Sequence, residues 1–182
     1  MQELKDTQSE TDTRNISIDR VGVKGLRFPI QIQDKLNRIQ STVATVSLAV
    51  DLPEEFKGTH MSRFVEALHQ HGPLLDVHTA LAIPRELLRR LSARRSHVEM
   101  EFPFFRAKNA PVTGIEGLMD YVVRFEMEAE ADNKLADFKL TVVVPVTTLC
   151  PCSKAMSAYG AHNQRGLVTY SCLLYTSPSP RD

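Results

Sequence analysis

The feature that most constrains this chain is a two-residue alternation of apolar and polar side chains, interrupted once by a helical period. Leu26, Phe28, Ile30 and Ile32 alternate with Arg27, Pro29, Gln31 and Gln33, and Ala44, Val46, Leu48, Val50 and Leu52 alternate with Thr45, Ser47, Ala49 and Asp51. Successive side chains of a strand point to opposite faces, so each run predicts a strand with one buried and one wet face. The two form an antiparallel pair. Pro29 marks the first as an edge strand, because proline has no N–H to give to a ladder. The period then lengthens: Met61, Phe64, Val65 and Leu68 fall at i, i+3, i+4 and i+7 before a His71-Gly72-Pro73 stop. A second helix is expected to begin near Pro84, with Leu87, Leu88 and Leu91 inward and Arg89, Arg90, Arg94 and Arg95 on a solvated face.

Alternation returns afterwards. Val98, Met100, Phe102 and Phe104 oppose His97, Glu99 and Glu101; Tyr121, Val123, Phe125, Met127 and Ala129 oppose Val122, Arg124, Glu126, Glu128 and Glu130. A turn at Ala131-Asp132-Asn133-Lys134 leads into Phe138, Leu140, Val142 and Val144, which predicts a hairpin. Strands grouped around one helical pair predict an α+β fold, with a mainly antiparallel sheet and the helices on one face. Residues 1–19 are polar and without periodicity and read as a disordered arm.

Composition narrows the function. The 182 residues carry 22 Lys+Arg against 22 Asp+Glu, a formal net charge of +0, and so lack the basic excess that phosphate neutralisation on a nucleic acid requires. The longest apolar stretch, Val142 to Val146, is far short of a bilayer crossing and contains Pro145. Met1 leads into QELKDTQSETDTRN, which has no apolar core of a secretory signal. The expectation is a cytoplasmic protein with no membrane or nucleic-acid partner. Three cysteines, Cys150, Cys152 and Cys172, are too few and too odd in number for a disulfide framework, so the thiols read as ligands or nucleophiles.

The most informative stretch is PVTTLCPCSKAMSAYGAHNQR, Pro145 to Arg165. A buried strand is expected to end there in a Pro-punctuated turn bearing Cys150 and Cys152, with His162 following. Thiolate sulfur and neutral imidazole are ligands that Zn²⁺ prefers, and three protein ligands with an open fourth position characterise a hydrolytic site. The competing reading makes Cys150 a buried strand-end thiol and His162 a hydrogen-bonded loop residue. A second stretch, KGTHMSRF, sets Lys57, His60 and Arg63 around a glycine where a loop becomes a helix, a place for an anion such as phosphate or else an ordinary helix start with solvated charges. Glu126, Glu128 and Glu130 share a strand face and read as solvation, and His69, His71, His78 and His97 as surface residues.

Taken together, KGTHMSRF, PVTTLCPCSK and YGAHNQR resemble the type IB GTP cyclohydrolase I family, the FolE2-like enzymes of folate biosynthesis, over roughly Asn15 to Tyr170. The resemblance implies the tunnelling fold, built from strand-strand-helix-helix-strand-strand modules, two per chain, in a homotetramer with active sites at subunit contacts. It implies hydrolysis of GTP to 7,8-dihydroneopterin triphosphate and formate with a divalent metal (Zn, Mn or Fe) and no organic cofactor. Cys150 then carries the metal-binding and catalytic cysteine role, His162 is its partner, and Cys152 lines the same turn as an accessory. Lys57, His60 and Arg63 would meet the substrate or its triphosphate, an inference from their charge. On this reading residues 20–131 are a first module and 132–172 the start of a second, with 173–182, part of SCLLYTSPSPRD, a non-native tail. The family continues further, supplying a metal-binding glutamate, a pterin-anchoring glutamate and another histidine, so the chain is expected to be truncated and of doubtful competence. Two alternatives stand beside this: a non-catalytic metal-binding or assembly module, and a nitrile reductase of the same fold using a covalent cysteine and NADPH.

Overall fold

A computed structural model of the chain describes residues 16–33, 38–132 and 137–174. Its elements are β1 (Ile18–Gln33), β2 (Ile39–Leu52), α1 (Met61–Gln70), β3 (Leu74–Leu75), α2 (Val77–Leu91), β4 (Arg95–Asn109), β5 (Glu116–Glu130), β6 (Asp137–Leu149), α3 (Pro151–Met156) and β7 (Asn163–Leu174). The strands form one seven-stranded sheet in the order β3-β1-β2-β4-β5-β6-β7. Every junction is antiparallel except the short β1–β3 contact, Gln31↔Leu74 and Ile32↔Leu75. This is an α+β architecture, as the alternation predicts.

The alternating residues sort as their period requires. Ala44, Val46, Leu48, Val50 and Leu52 are all buried, and β4 lays Met100 and Val98 beside Val46 and Leu48 on the same face. Phe125 of β5 stands between Phe102 and Phe138, with ring centroids 5.1 and 5.0 Å away. Over this face lie Phe64, Ala67 and Leu68 of α1 and Ala80, Leu81, Ile83 and Leu87 of α2, all buried. Each such Leu or Phe taken out of water contributes about 1.5–3 kcal/mol, so the helical pair is held by its apolar stripe rather than by propensity. The opposite face is laced with ion pairs: Arg124 with Glu99 and Glu101, Lys139 with Glu126, and Glu128 with His97 and Arg20.

Several sequence expectations need correction. β1 begins at Ile18, inside the 1–19 segment read as an arm; its early register is broken by shifts between Ile18 and Val21 and between Val23 and Leu26, which hide the alternation. Gly25, at φ +73°, sits in the second shift, a backbone state that side chains disfavour. The second helix starts at Val77, seven residues before Pro84, because Asp76 and Thr79 form a capping box: Thr79 N–H donates to Asp76 Oδ1 at 2.7 Å and Asp76 N–H to Thr79 Oγ1 at 2.8 Å. Pro84 is buried within the helix, and its carbonyl accepts from the Ser96 hydroxyl at 2.8 Å. β6 runs through Pro145, opposite Leu167, to Leu149 just before the cysteine turn, but it is half-buried and then exposed rather than buried. Leu173 and Leu174, assigned to the tail, belong to β7; Leu174 pairs with Phe138 and packs against the core. The remainder of that tail and most of the arm lie outside the described residues, as does part of the expected Ala131–Lys134 turn.

One feature of the topology positions the site. The β5–β6 register runs from Glu128↔Asp137 only to Val122↔Val143, while β6–β7 pairing continues to Leu149↔Asn163 and β4–β5 pairing to Asn109↔Glu116. The sheet therefore divides at this end into two ribbons, and the β6–β7 ribbon carries the cysteine turn at its tip.

Candidate active site

The Leu149↔Asn163 pair closes a 13-residue connection that begins at Cys150 and ends at His162. Cys150 has extended backbone (φ −72°, ψ 114°) and caps α3, with Pro151 at the first helical position, where its missing N–H costs nothing. The Cys150 N–H donates to the His162 carbonyl at 3.2 Å, and the Cys150 carbonyl accepts from Lys154 N–H at 3.1 Å. His162 N–H donates in turn to the Ser153 hydroxyl at 3.4 Å. Within the loop Tyr159 N–H donates to Ser157 Oγ at 3.3 Å, and Gly160 takes φ +146°. Two residues twelve apart in sequence thus become hydrogen-bonded neighbours through their main chains.

Cys150 is half-buried, whereas Cys152 and His162 are exposed. All three cysteines are free, and Cys172 lies opposite Leu140 along β7, away from the tip. A thiol and an imidazole on adjacent main-chain positions have the donor chemistry of a zinc-type ion. Among the described residues, however, no group of three His, Cys, Asp or Glu side chains could hold a metal ion. The donors present fit part of a coordination shell.

Lys57, His60 and Arg63 do not join them within one chain. β2 ends beside the start of β4, which lies beside the end of β5 and the start of β6 (Val50↔Ser96, Arg95↔Glu130, Glu128↔Asp137). KGTHMSRF follows β2 at that end, and Cys150 follows the far end of β6, about 40 Å away at ~3.3 Å per strand residue. His60 is the residue before α1 and makes no capping bond through its side chain. Arg63 Nη1 donates to the Arg90 carbonyl at 3.1 Å near the end of α2, so its guanidinium ties the two helices together.

Sequence reasoning missed Ser153, for which a serine inside a thiol-rich turn gives no distinguishing signal. It also took Arg90 for a solvated charge. Arg90 instead bonds Glu86 on its own helix and Glu66 and Gln70 on α1. Glu86 is buried and bonded to Arg89 at 2.6 and 2.9 Å as well; hydrogen bonding from Arg89, then from Arg90, holds its carboxyl down at about 2 against the opposing effect of burial. An acid four residues before an arginine on a leucine face was the available clue. Two surface cavities, of about 490 Å³ and 290 Å³, are lined respectively by residues such as Arg27, Thr45 and Glu101 and by residues such as Arg20, His97 and Glu128; neither includes Cys150 or His162. No described helix is long and apolar enough to cross a membrane.

Comparison with known proteins gives this geometry a context. The family profile described as type I GTP cyclohydrolase FolE2 matches residues 4–180, a span that takes in most of residues 1–19 and 173–182. The chain is 94% identical over 178 residues to the GTP cyclohydrolase FolE2 of Akkermansia muciniphila, which covers 98% of this chain and 67% of that protein. Against the Azoarcus sp. BH72 protein of the same name the identity is 47% over 171 residues, 94% of this chain and 63% of the relative. For the Fervidobacterium nodosum protein, also a GTP cyclohydrolase FolE2, it is 50% over 162 residues, 89% and 61% respectively. The chain therefore spans about two thirds or less of the length of these curated relatives. Identity near one half is sustained across nine-tenths of the chain in two of these organisms, far beyond the motifs at the β6–β7 tip, and it follows that this chain belongs to the type I GTP cyclohydrolase FolE2 family.

Proposed function

We propose that this chain is part of a metal-dependent GTP cyclohydrolase I, converting GTP and water to 7,8-dihydroneopterin triphosphate and formate in tetrahydrofolate or pterin synthesis in the cytoplasm. The observation that carries the proposal is the main-chain hydrogen bond between Cys150 and His162 at a closed hairpin base, which brings a thiol-bearing and an imidazole-bearing residue together. Cys150 and His162 would hold a divalent ion such as zinc, manganese or iron, with Cys152 as an exposed accessory thiol. An ion held there supplies Lewis-acid activation of water near neutral pH. Half-burial of Cys150 favours this role for it over Cys152, because a partly desolvated thiolate gains more from a cation than one in open water.

Lys57, His60 and Arg63 are proposed to meet the triphosphate. Since they lie at the opposite end of one sheet from Cys150, a shared substrate requires two copies of the chain, which agrees with a tunnelling-fold homotetramer having its sites at subunit contacts. What supports that fold is the strand-strand-helix-helix-strand-strand order from β1 to β5, interrupted only by the two-residue β3. Incubation with GTP and Mn²⁺ or Zn²⁺, followed by oxidation and neopterin fluorescence, tests the activity. Cys150→Ala is expected to abolish turnover and strip most of the metal, and Cys152→Ala to be milder. Full turnover by Cys150→Ala would overturn the assignment. The lack of a three-donor group among the described residues favours one rival, a non-catalytic metal-binding or assembly module. Stoichiometric metal without neopterin would support that rival.

A further inference from the structure

We infer that Ser153 is a positioning residue that fixes His162 against Cys150, an inference resting on the reading of these two residues as a metal-binding pair. Both main-chain polar groups of His162 are taken by the cysteine turn. Its carbonyl accepts from Cys150 N–H at 3.2 Å and its N–H donates to Ser153 Oγ at 3.4 Å. Ser153 itself is half-buried although its neighbours Cys152 and Lys154 are exposed, and it belongs to the turn of α3 that begins at Cys150. His162 is exposed, so burial does little to hold its ring. Its direction is set by where the backbone places its Cβ, and that backbone is clamped on one side by the thiol-bearing residue and on the other by Ser153. With the hydroxyl gone, one of the two clamps is lost and the His162 N–H turns to water. The peptide plane before His162 then gains freedom to rotate, and the imidazole spreads over orientations that do not face the thiol. Groups that orient a ligand without touching the metal typically contribute 10–100-fold in affinity. One main-chain hydrogen bond of this length belongs at the lower end of that range.

The test uses the 182-residue chain and Co²⁺, whose thiolate absorption reports sulfur ligation directly, titrated against a competing chelator. Ser153→Ala is expected to weaken Co²⁺ binding about tenfold, with the far-UV circular dichroism and unfolding midpoint close to those of the parent. Ser157→Ala is the control, because its hydroxyl accepts from Tyr159 N–H in the same loop; it should change Co²⁺ affinity less than about twofold. Ser153→Thr keeps the hydroxyl and should restore binding, while Ser153→Val, of nearly the same shape, should not. The Thr and Val pair keeps the question decidable if the alanine variant misfolds. Parental affinity in both Ser153→Ala and Ser153→Val, or an equal loss in Ser157→Ala, would overturn the role of Ser153. Absence of a Cys150-dependent thiolate band in the parent chain would be a different result: it removes the metal reading itself, and the role of Ser153 with it.

Discussion

Glu86 offers the sharpest energetic test of how the helical pair is held. Its side chain is only 10% exposed and is shared by Arg89 and Arg90, while Arg90 reaches on to Glu66 of α1 at 2.9 Å and to Gln70. The carboxyl falls from 4.5 to about 2, with the Arg89 hydrogen bond the largest cause, burial opposing it and Arg90 adding to it. Because the folded value is depressed, the stabilisation is fully present above the unfolded value of about 4.5 and is lost as the pH falls through about 2. At about 1.4 kcal/mol per unit the ceiling is about 3 kcal/mol. Arg89 is 67% exposed, and its share is screened by water, so about 1–2 kcal/mol is expected at neutral pH. Linkage gives the shape of the loss as well: by pH 3 about 40% of the stabilisation remains.

Glu86→Gln removes the charge and keeps the volume. Urea unfolding of the parent and the variant at pH 7, 5, 4 and 3 should show a parental advantage of about 1–2 kcal/mol at pH 7 and 5 that shrinks to less than half by pH 3. A deficit of the same size at every pH would refute the argument, because it would mean that shape and hydrogen bonding, not ionisation, make the contribution. A second control lies in Arg90→Met, which leaves Glu86 with Arg89 alone and should raise the carboxyl toward its ordinary value.

Three further outcomes are expected. Asp76→Ala removes the capping box of α2 and should lower stability by about 1 kcal/mol in chemical unfolding, with no change in Co²⁺ binding at the distant β6–β7 tip. Arg63→Ala deletes the hydrogen bond to the Arg90 carbonyl and should lower stability by about 1 kcal/mol; if Arg63 also meets the triphosphate, KM for GTP rises while metal content stays constant, and an unchanged KM confines its role to the helix contact. The outer edge of β7 pairs with no described strand and Leu167 and Tyr170 are 73% and 65% exposed, so the chain expressed alone should self-associate, and Val168→Lys should shift sedimentation toward smaller species.

The legible part of the fold was local periodicity. Val98, Met100 and Phe102 announce a buried strand face because the alternation is a property of neighbouring residues, and so do Phe64 and Leu68 for one face of a helix, although Met61 of the same pattern is exposed. What failed was local structure whose cause is not periodic. The two register shifts in β1 break the alternation where the strand begins, and the start of α2 depends on one reciprocal pair, Asp76 and Thr79, that weighs less by eye than a proline. Pro84 was a good first-turn residue by rule, yet burial of Ala80, Leu81 and Ile83 ahead of it is worth more than the one helical hydrogen bond a proline forgoes.

The site divides along the same physical line. Cys150 and His162 meet because a hairpin returns the chain to its starting point, so that closure over 13 residues needs only the β6–β7 ladder beneath it. Lys57, His60 and Arg63 could not be placed relative to them from sequence, because that separation depends on the order of four strands and the direction of each. An odd number of additional antiparallel strands between β2 and β6 would have turned β6 around and brought Cys150 to the same end as KGTHMSRF; with β4 and β5 between them, β2 and β6 run opposite ways, so KGTHMSRF leaves the sheet at the end where β6 begins and Cys150 at the end where β6 finishes. Strand parity therefore decides that one chain cannot bring its cationic turn to its own thiol. If both motifs act on one triphosphate-bearing substrate, the second must come from another copy. Mixing an Arg63→Ala chain with a Cys150→Ala chain, assayed at GTP well below the raised KM of the first, should then exceed the summed turnover of the two alone, and no such gain in demonstrably mixed oligomers would show that the two motifs do not share a site.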